Sequence, residues 1–141
     1  MKHIAITVDK NYCIHAAVMM CSLLSNNNSA NINVHIIVNF RNLFFKIPLI
    51  YILKKHKCNY RFYYISKEHI EFSDDLIITD HITIATYFRL FLPSILKDVD
   101  KVLFLDSDMI IDGNIDELYA VNINNHSLAA VFYENEERIA T

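Results

Sequence analysis

Two aspartates separated by one residue follow an apolar stretch in the second half of the chain. Asp106 and Asp108 flank Ser107 directly after the apolar residues 102–105. In an extended strand, side chains two residues apart point to the same face, so the two carboxylates are expected to converge. Carboxylates held that close resist ionisation unless a cation lies between them, and oxygen ligands suit Mg²⁺ or Mn²⁺. The alternative is a polar strand end with two solvated aspartates.

An arginine interrupts a second, mostly apolar stretch. Arg89 lies in residues 83–90, which have helical spacing. A guanidinium on such a helix must find an anion or reach water. One interpretation is a solvated head at the helix edge or a structural ion pair. The other is a bridge to Asp106 and Asp108, or to a bound diphosphate.

Asp9 and Tyr12 follow the first predicted strand. A carboxylate can accept a hydrogen bond from the imide N–H of uracil, and a tyrosine ring can stack on a base. The structural alternatives are a helix cap for Asp9, just ahead of Asn11, and core packing for Tyr12.

The pattern of apolar residues predicts the elements that position these residues: short apolar, β-branched runs predict strands, and apolar residues at helical spacing predict helices. We expect strands at residues 3–8, 32–40, 60–65, 102–105 and 128–133, and helices at 11–24, 43–57, 83–92 and 115–119. Pro48 should delay or kink the second helix, and Pro93 should end the third. This alternation predicts an α/β fold with a mostly parallel sheet, in which ligands bind beyond the carboxyl ends of the strands.

Composition narrows the class of protein. A chain of 141 residues, 53% hydrophobic and 21% charged, is expected to form a single globular domain over 1–141. The formal net charge of −3 argues against a nucleic-acid partner. Gly113 is the single glycine. Glycine-rich loops that cradle phosphates are therefore excluded, and a phosphorylated ligand must be held by side chains or a metal.

The cysteines and apolar runs bear on location. Three cysteines without CxxC spacing predict reduced thiols in the cytoplasm. The longest apolar run, 47–53, is too short to cross a bilayer, and no secretory signal is visible. Residues 40–46 and 54–57 are basic and aromatic. They predict either a peripheral contact with an anionic membrane or, as the simpler interpretation, a core helix with a solvated lysine end.

Four segments, taken together, resemble glycosyltransferase family 8, the bacterial lipopolysaccharide galactosyl- and glucosyltransferases with a GT-A fold. The segments are residues 3–12, 81–90, 100–108 and 112–118, in the order that the family has them. The resemblance implies a retaining transfer of a hexose from UDP-galactose or UDP-glucose to a sugar hydroxyl. The acceptor would belong to lipopolysaccharide or another surface glycan.

The resemblance also implies roles for individual residues. Asp106 and Asp108 match the metal ligands for Mn²⁺ or Mg²⁺, and Arg89 matches the arginine near the donor sugar and diphosphate. His81 falls on the acceptor side. The nucleoside contacts would be Asp9 at the uracil edge, Tyr12 stacked on the base, Thr7 and Asn11 along the nucleoside, and Ser107 against the ribose.

Two departures from the family leave a second hypothesis open. Family catalytic domains are longer than this chain, and the third metal ligand, a histidine, lies in the part without a counterpart here. His126 does not match that motif, and Glu134 stands near the place of a family aspartate. The chain is therefore either a truncated transferase or a non-catalytic remnant that binds UDP-sugar and metal. A sheet cut short is also expected to favour self-association.

Overall fold

The computed structural model describes residues 1–65 and 87–130, in which strands and helices alternate. The elements are β1 (Lys2–Val8), α1 (Cys13–Asn26), β2 (Ile32–Val38), α2 (Leu43–Lys55), β3 (Asn59–Tyr64), α3 (Leu92–Ile95), β4 (Leu103–Phe104) and α4 (Asp116–Ala120). Short 3₁₀ helices at Ser29–Asn31 and Phe88–Phe91 precede β2 and α3. The predicted α/β class is confirmed.

The four strands form one parallel sheet in the order β3-β2-β1-β4. β1 pairs with β2 along its whole length, from Lys2 opposite Ile32 to Val8 opposite Val38. On its other side, Ile4 of β1 lies opposite Leu103 of β4. The strands β1 and β2 are rich in isoleucine and valine because a central parallel strand is covered on both faces.

Each face of the sheet has its own apolar cluster, since successive strand residues point to opposite sides. On one side, Ile4 and Ile6 pack with buried residues of α1 and α2. On the other side, Ala5 and Ile37 pack with Phe88, at the start of the 3₁₀ helix, and with α3. The second cluster anchors the segment that carries Arg89.

The helix α2 begins at Leu43, so the late start that Pro48 was expected to impose is not observed. The Asn42 side chain caps the helix by accepting a 2.9 Å hydrogen bond from the Phe44 N–H. Pro48 lies in the second turn, where its missing N–H removes one helical hydrogen bond.

Two other sequence predictions need correction. Residues 83–86 of the predicted helix 83–92 lie outside the described residues, and Phe88–Phe91 forms a 3₁₀ helix. Pro93 does not end a helix; it lies in the first turn of α3, where a backbone N–H has no helical partner to lose. The last predicted strand, 128–133, is not formed at residues 128–130, and its remainder lies outside the described residues. Within the described ranges, no helix is long and apolar enough to cross a membrane.

Candidate functional site

The strands β1 and β4 are parallel neighbours in the sheet, and the direction in which strands are added changes between them. The sheet grows from β1 through β2 to β3 on one side, whereas β4 joins the other side of β1. In open α/β sheets, ligands bind beyond the carboxyl ends of the strands at such a switch point. Asp9 follows β1 and Asp106 follows β4 almost immediately. Both residues therefore lie where this fold class binds its ligands.

Asp106, Ser107 and Asp108 leave the sheet in an exposed turn. The Leu105 N–H still donates to the Ala5 carbonyl at 3.0 Å, so Asp106 is the first residue beyond the pairing with β1. Ser107 and Asp108 lie in a turn, and both aspartates are exposed. The strand alternation invoked from the sequence therefore stops before Asp108, because the chain bends once the pairing ends. Any convergence of the two carboxylates has to come from the turn.

Arg89 reaches the site from the segment that precedes α3. Its Nη2 donates to Asp106 Oδ1 at 3.2 Å, forming an ion pair between two partly exposed side chains. The guanidinium carbon lies 4.6 Å from the centroid of the Phe104 ring, within the range of a cation–π interaction. The neighbouring Phe88 is fully buried and fixes the 3₁₀ turn against the sheet. The two interpretations of Arg89 were a solvated or purely structural role and a bridge to Asp106 and Asp108. The structure contains an ion pair, and the partner of Arg89 is Asp106, the first aspartate of the predicted metal pair.

The loop after β1 is organised by the Asp9 carboxylate. Asp9 Oδ1 accepts hydrogen bonds from the backbone N–H groups of Asn11, at 2.7 Å, and Tyr12, at 3.2 Å. Tyr12 is 42% exposed and its ring lies 5.1 Å from that of His15, so core packing does not explain it. Asp9 is therefore not the helix cap that its position suggested, because the N-cap of α1 is Tyr12 and no side chain caps it. Asp9 instead holds the loop ahead of the helix, and the Tyr12 ring is exposed.

Polar side chains at the end of α1 hold the chain that follows Asp108. Nothing in the sequence predicted this role. Ser22 Oγ accepts a hydrogen bond from the Ile111 N–H at 2.9 Å, and Asn26 Nδ2 donates to the Ile111 carbonyl at 2.8 Å. Asn27 donates to the Gly113 carbonyl at 3.1 Å and accepts from the Ile115 N–H at 2.9 Å. In the sequence, this polar run indicated only the end of a helix. The turn formed by Asp106, Ser107 and Asp108, which we call the acidic turn, therefore follows β4 and precedes a segment held by these hydrogen bonds. We call the contacts of Ser22, Asn26 and Asn27 with this segment the clamp.

A cysteine thiol adjoins the Asp9 loop but is not reactive. Cys13 Sγ donates to the Asp9 carbonyl at 3.5 Å. Burial, reinforced by the nearby Asp9 carboxylate, raises the pKa of the Cys13 thiol to about 11. Burial also raises the pKa of Cys58 to about 11. A raised pKa disfavours the thiolate, which is the nucleophilic form of cysteine. All three cysteines are free in this structure.

The remaining predicted residues are distributed as follows. Thr7 is half-buried near the end of β1, and Ser107 is half-buried within the acidic turn. His81 and Glu134 lie outside the described residues. Residues 1–65 and 87–130 contain no group of three or more His, Cys, Asp or Glu side chains placed to hold a metal ion. The two predicted ligands, Asp106 and Asp108, lie in the exposed turn after β4.

The sheet order and the acidic switch-point site define an α/β protein of the kind that binds nucleotide-type ligands beyond its strands. A sequence profile described as "Glycosyl transferase family 8" matches residues 3–140. The chain belongs to this family.

Known relatives and solved structures agree with that membership. The chain is 30% identical over 135 residues to a lipopolysaccharide 1,3-galactosyltransferase of Salmonella typhimurium strain LT2, covering 95% of this chain and 39% of that protein. It is 28% identical over 130 residues to a lipopolysaccharide 1,2-glucosyltransferase of Escherichia coli K12, covering 92% and 38%. The chain thus spans about two fifths of these relatives.

The fold resembles that of the galactosyltransferase LgtC, solved in complex with donor and acceptor sugar analogues. The TM-score is 0.75 at 26% identity, over 86% of this chain and 43% of that one. The LgtC active-site mutant Q189E gives a TM-score of 0.76 at 25% identity, over 87% and 43%. The GT-A fold expected from the sequence is confirmed.

Proposed function

We propose that this chain forms the donor-binding part of a retaining hexosyltransferase that uses UDP-galactose or UDP-glucose. The observation that carries the proposal is the position of the Asp9 loop and the acidic turn at Asp106 on either side of the β1–β4 switch point. A ligand with a base at one end and a diphosphate at the other matches a site with an aromatic loop on one strand and carboxylates on the next.

The loop after β1 would bind the nucleoside. Asp9 Oδ1 already accepts two backbone hydrogen bonds, and a carboxylate has about four acceptor positions, so capacity for the uracil N–H is left. The exposed Tyr12 ring offers a face on which the base can stack. Thr7 and Asn11 would line the nucleoside, and Ser107 would contact the ribose.

The aspartates of the turn would hold a divalent cation, Mn²⁺ or Mg²⁺. The donor set fits such an ion, because Asp106 and Asp108 supply hard oxygen ligands in an exposed turn where water and phosphate can complete the coordination. A cation held there supplies positive charge that is matched to the leaving diphosphate. A third protein ligand is not found among residues 1–65 and 87–130.

The transfer breaks the bond between the anomeric carbon and the diphosphate oxygen and forms a bond to an acceptor hydroxyl oxygen. UDP leaves with the electron pair of the broken bond, and the hydroxyl proton is released. Arg89, which is hydrogen-bonded to Asp106, would donate to the diphosphate as negative charge builds there. Interactions that strengthen with that charge accelerate the reaction, since they stabilise the transition state more than the bound donor.

The acceptor is proposed to be a saccharide hydroxyl in lipopolysaccharide or another surface glycan. This rests on the names of the relatives, which transfer galactose or glucose to lipopolysaccharide. His81 keeps its predicted acceptor-side role, and a cytoplasmic location remains the corresponding expectation.

Calorimetric titration of UDP with and without Mn²⁺ tests the donor site. We expect Mn²⁺-dependent binding in the wild type and its loss in Asp106→Asn/Asp108→Asn. The chain offers a matched control in Asp98 and Asp100, an exposed pair with the same spacing just ahead of β4. Asp98→Asn/Asp100→Asn should bind UDP like the wild type.

Equal losses in both double variants would show a general charge effect and contradict a specific site. Binding without hydrolysis or transfer of the UDP-sugar would favour the second hypothesis, a non-catalytic module that retains the donor site. A wild type that binds neither UDP nor Mn²⁺ would overturn the proposal.

A further inference from the structure

The outer surface of α1 and α2 exposes many large apolar side chains. No other element among the described residues covers it. We call this the α1–α2 outer face. It consists of Ile14 and Val18 of α1 and Leu43, Phe44, Ile47 and Tyr51 of α2. Between the helices it includes an apolar groove of about 510 Å³. Ile14, Val18 and Tyr51 line this groove, and Leu43, Phe44 and Ile47 extend the exposed apolar surface along α2. Exposed apolar side chains gathered in this way are typical of interaction sites.

The exposed residues of α2 form one continuous stripe. At 100° per residue, Leu43, Phe44, Ile47 and Tyr51 fall within an arc of about 100°. The buried residues Leu49 and Leu53 lie roughly opposite, against the core. The helix therefore has two apolar sides. One side packs against the core, and the other faces outward.

Lysines extend the same stripe at its carboxyl end. Lys54 and Lys55, in the last turn, lie within about 20° of the arc that the apolar residues define. The helix of 13 residues therefore presents apolar groups in its first turns and two ammonium groups roughly 15 Å further along.

The charge of the surrounding chain has a single sign. The segment 10–65, which contains both helices, has no Asp or Glu, whereas the whole chain has a formal net charge of −3. Its seven basic residues are Lys10, Arg41, Lys46, Lys54, Lys55, Lys57 and Arg61. Lys54 and Lys55 belong to the α2 stripe, whereas Lys46 lies on another side of the helix, over the rings of Phe40 and Phe62. A surface that combines exposed aromatic and aliphatic groups with two exposed lysines matches an anionic lipid headgroup layer.

We propose that the α1–α2 outer face docks on an anionic lipid bilayer, with Leu43, Phe44 and Ile47 inserted at the headgroup boundary and Lys54 and Lys55 contacting lipid phosphates. No described helix is long enough to span a membrane, so α2 lies along the surface. A second copy of the chain fits less well, because a symmetric contact through this face would bring like charges together.

Vesicle flotation tests the proposal with this chain. Wild-type protein should float with vesicles of equal parts phosphatidylglycerol and phosphatidylcholine, and not with pure phosphatidylcholine. Binding should weaken in high salt, because the screening length falls from about 10 Å at 0.1 M to about 3 Å at 1 M.

Two variants separate the apolar and charged contributions. Leu43→Ser/Phe44→Ser should reduce binding by at least about tenfold. The matched control is Ile110→Ser/Leu128→Ser, because those residues are 65% and 74% exposed, against 63% and 72% for Leu43 and Phe44. Lys54→Gln/Lys55→Gln should also reduce binding by about tenfold or more, and Lys97→Gln should not.

Circular dichroism and sedimentation velocity accompany each variant. If the Leu43→Ser/Phe44→Ser variant loses its fold, the salt series and the lysine variants still decide the question. Equal flotation with both vesicle types, or none with either, overturns the proposal. A dimer that Leu43→Ser/Phe44→Ser dissociates, without vesicle binding, also overturns it and assigns the face to a second copy.

Discussion

Arg89 donates a hydrogen bond to Asp106 at 3.2 Å while its guanidinium lies over the ring of Phe104. The ring holds the guanidinium from one side and the carboxylate orients it from another. A cation or a diphosphate that enters the site must share or replace this ion pair. Arg89 therefore links the occupancy of the acidic turn to the segment ahead of α3.

Replacing Arg89 with lysine is expected to weaken nucleotide binding with little effect on stability. Lysine keeps the charge but loses the planar fork that contacts a carboxylate and an aromatic face together. Because both partners of the ion pair are partly exposed, the free energy of unfolding should change by less than about 1 kcal/mol. UDP affinity in Mn²⁺ should fall about tenfold by calorimetry. The control is Arg61→Lys. Arg61 is also an exposed arginine that lies over an aromatic ring, that of Tyr63, and its replacement should leave UDP affinity unchanged.

Asp9→Asn separates the loop-holding hydrogen bonds of this residue from its proposed contact with uracil. The amide oxygen can still accept from Asn11 and Tyr12, so the melting temperature should stay close to that of the wild type. The side chain now also carries a donor, which suits N3 of cytosine better than the N–H of uracil. The wild type should prefer UDP over CDP, and the variant should lose that preference. An unchanged preference would remove Asp9 from the base contact.

Asn27→Ala should destabilise the chain after Asp108. The substitution removes hydrogen bonds to the Gly113 carbonyl and from the Ile115 N–H, leaving two half-buried backbone groups without these partners. The free energy of unfolding should fall by about 1–3 kcal/mol in urea titrations. Asn31→Ala, at an exposed asparagine in the following 3₁₀ turn, serves as the control. A change at Asn27 within about 0.5 kcal/mol would contradict the clamp.

His35 should make stability depend on pH. It is buried between His3 and Tyr63, with ring nitrogens 2.9 Å from His3 Nδ1 and from Tyr63 Oη. Burial, followed by the proximity of His3 and Arg61, lowers the pKa of His35 below its ordinary 6.5. Between the lowered pKa and 6.5 the unfolded chain binds more protons than the folded one, so stability should fall as the pH drops through 6.5.

Urea unfolding between about pH 7.5 and pH 5 measures this dependence. His35→Gln should flatten it, whatever its effect on stability at neutral pH, and His126→Gln should not. A slope that survives His35→Gln would assign the effect to other groups.

The sequence by itself determined the order of the elements from β1 to β3 and the apolar stretch that leads to Asp106. Strands β1 and β2 were predictable because central parallel strands are covered on both faces and select continuous β-branched runs. The single glycine argued against phosphate cradles made of backbone, so a phosphorylated ligand would have to be held by side chains or a metal. These inferences use local chemistry, so they needed no knowledge of which strands are neighbours.

Only the tertiary structure decided which of these residues meet. The placement of β4 beside β1 brings Asp106 to the same sheet edge as Asp9, and a buried Phe88 aims Arg89 at Asp106. Asn27 gave no signal because its partners are backbone groups some 86 residues away, and a backbone carbonyl has the same sequence signature everywhere. The bend at Asp108 was likewise hidden, since only the sheet shows that pairing with β1 stops at Leu105 and that the chain turns directly afterwards.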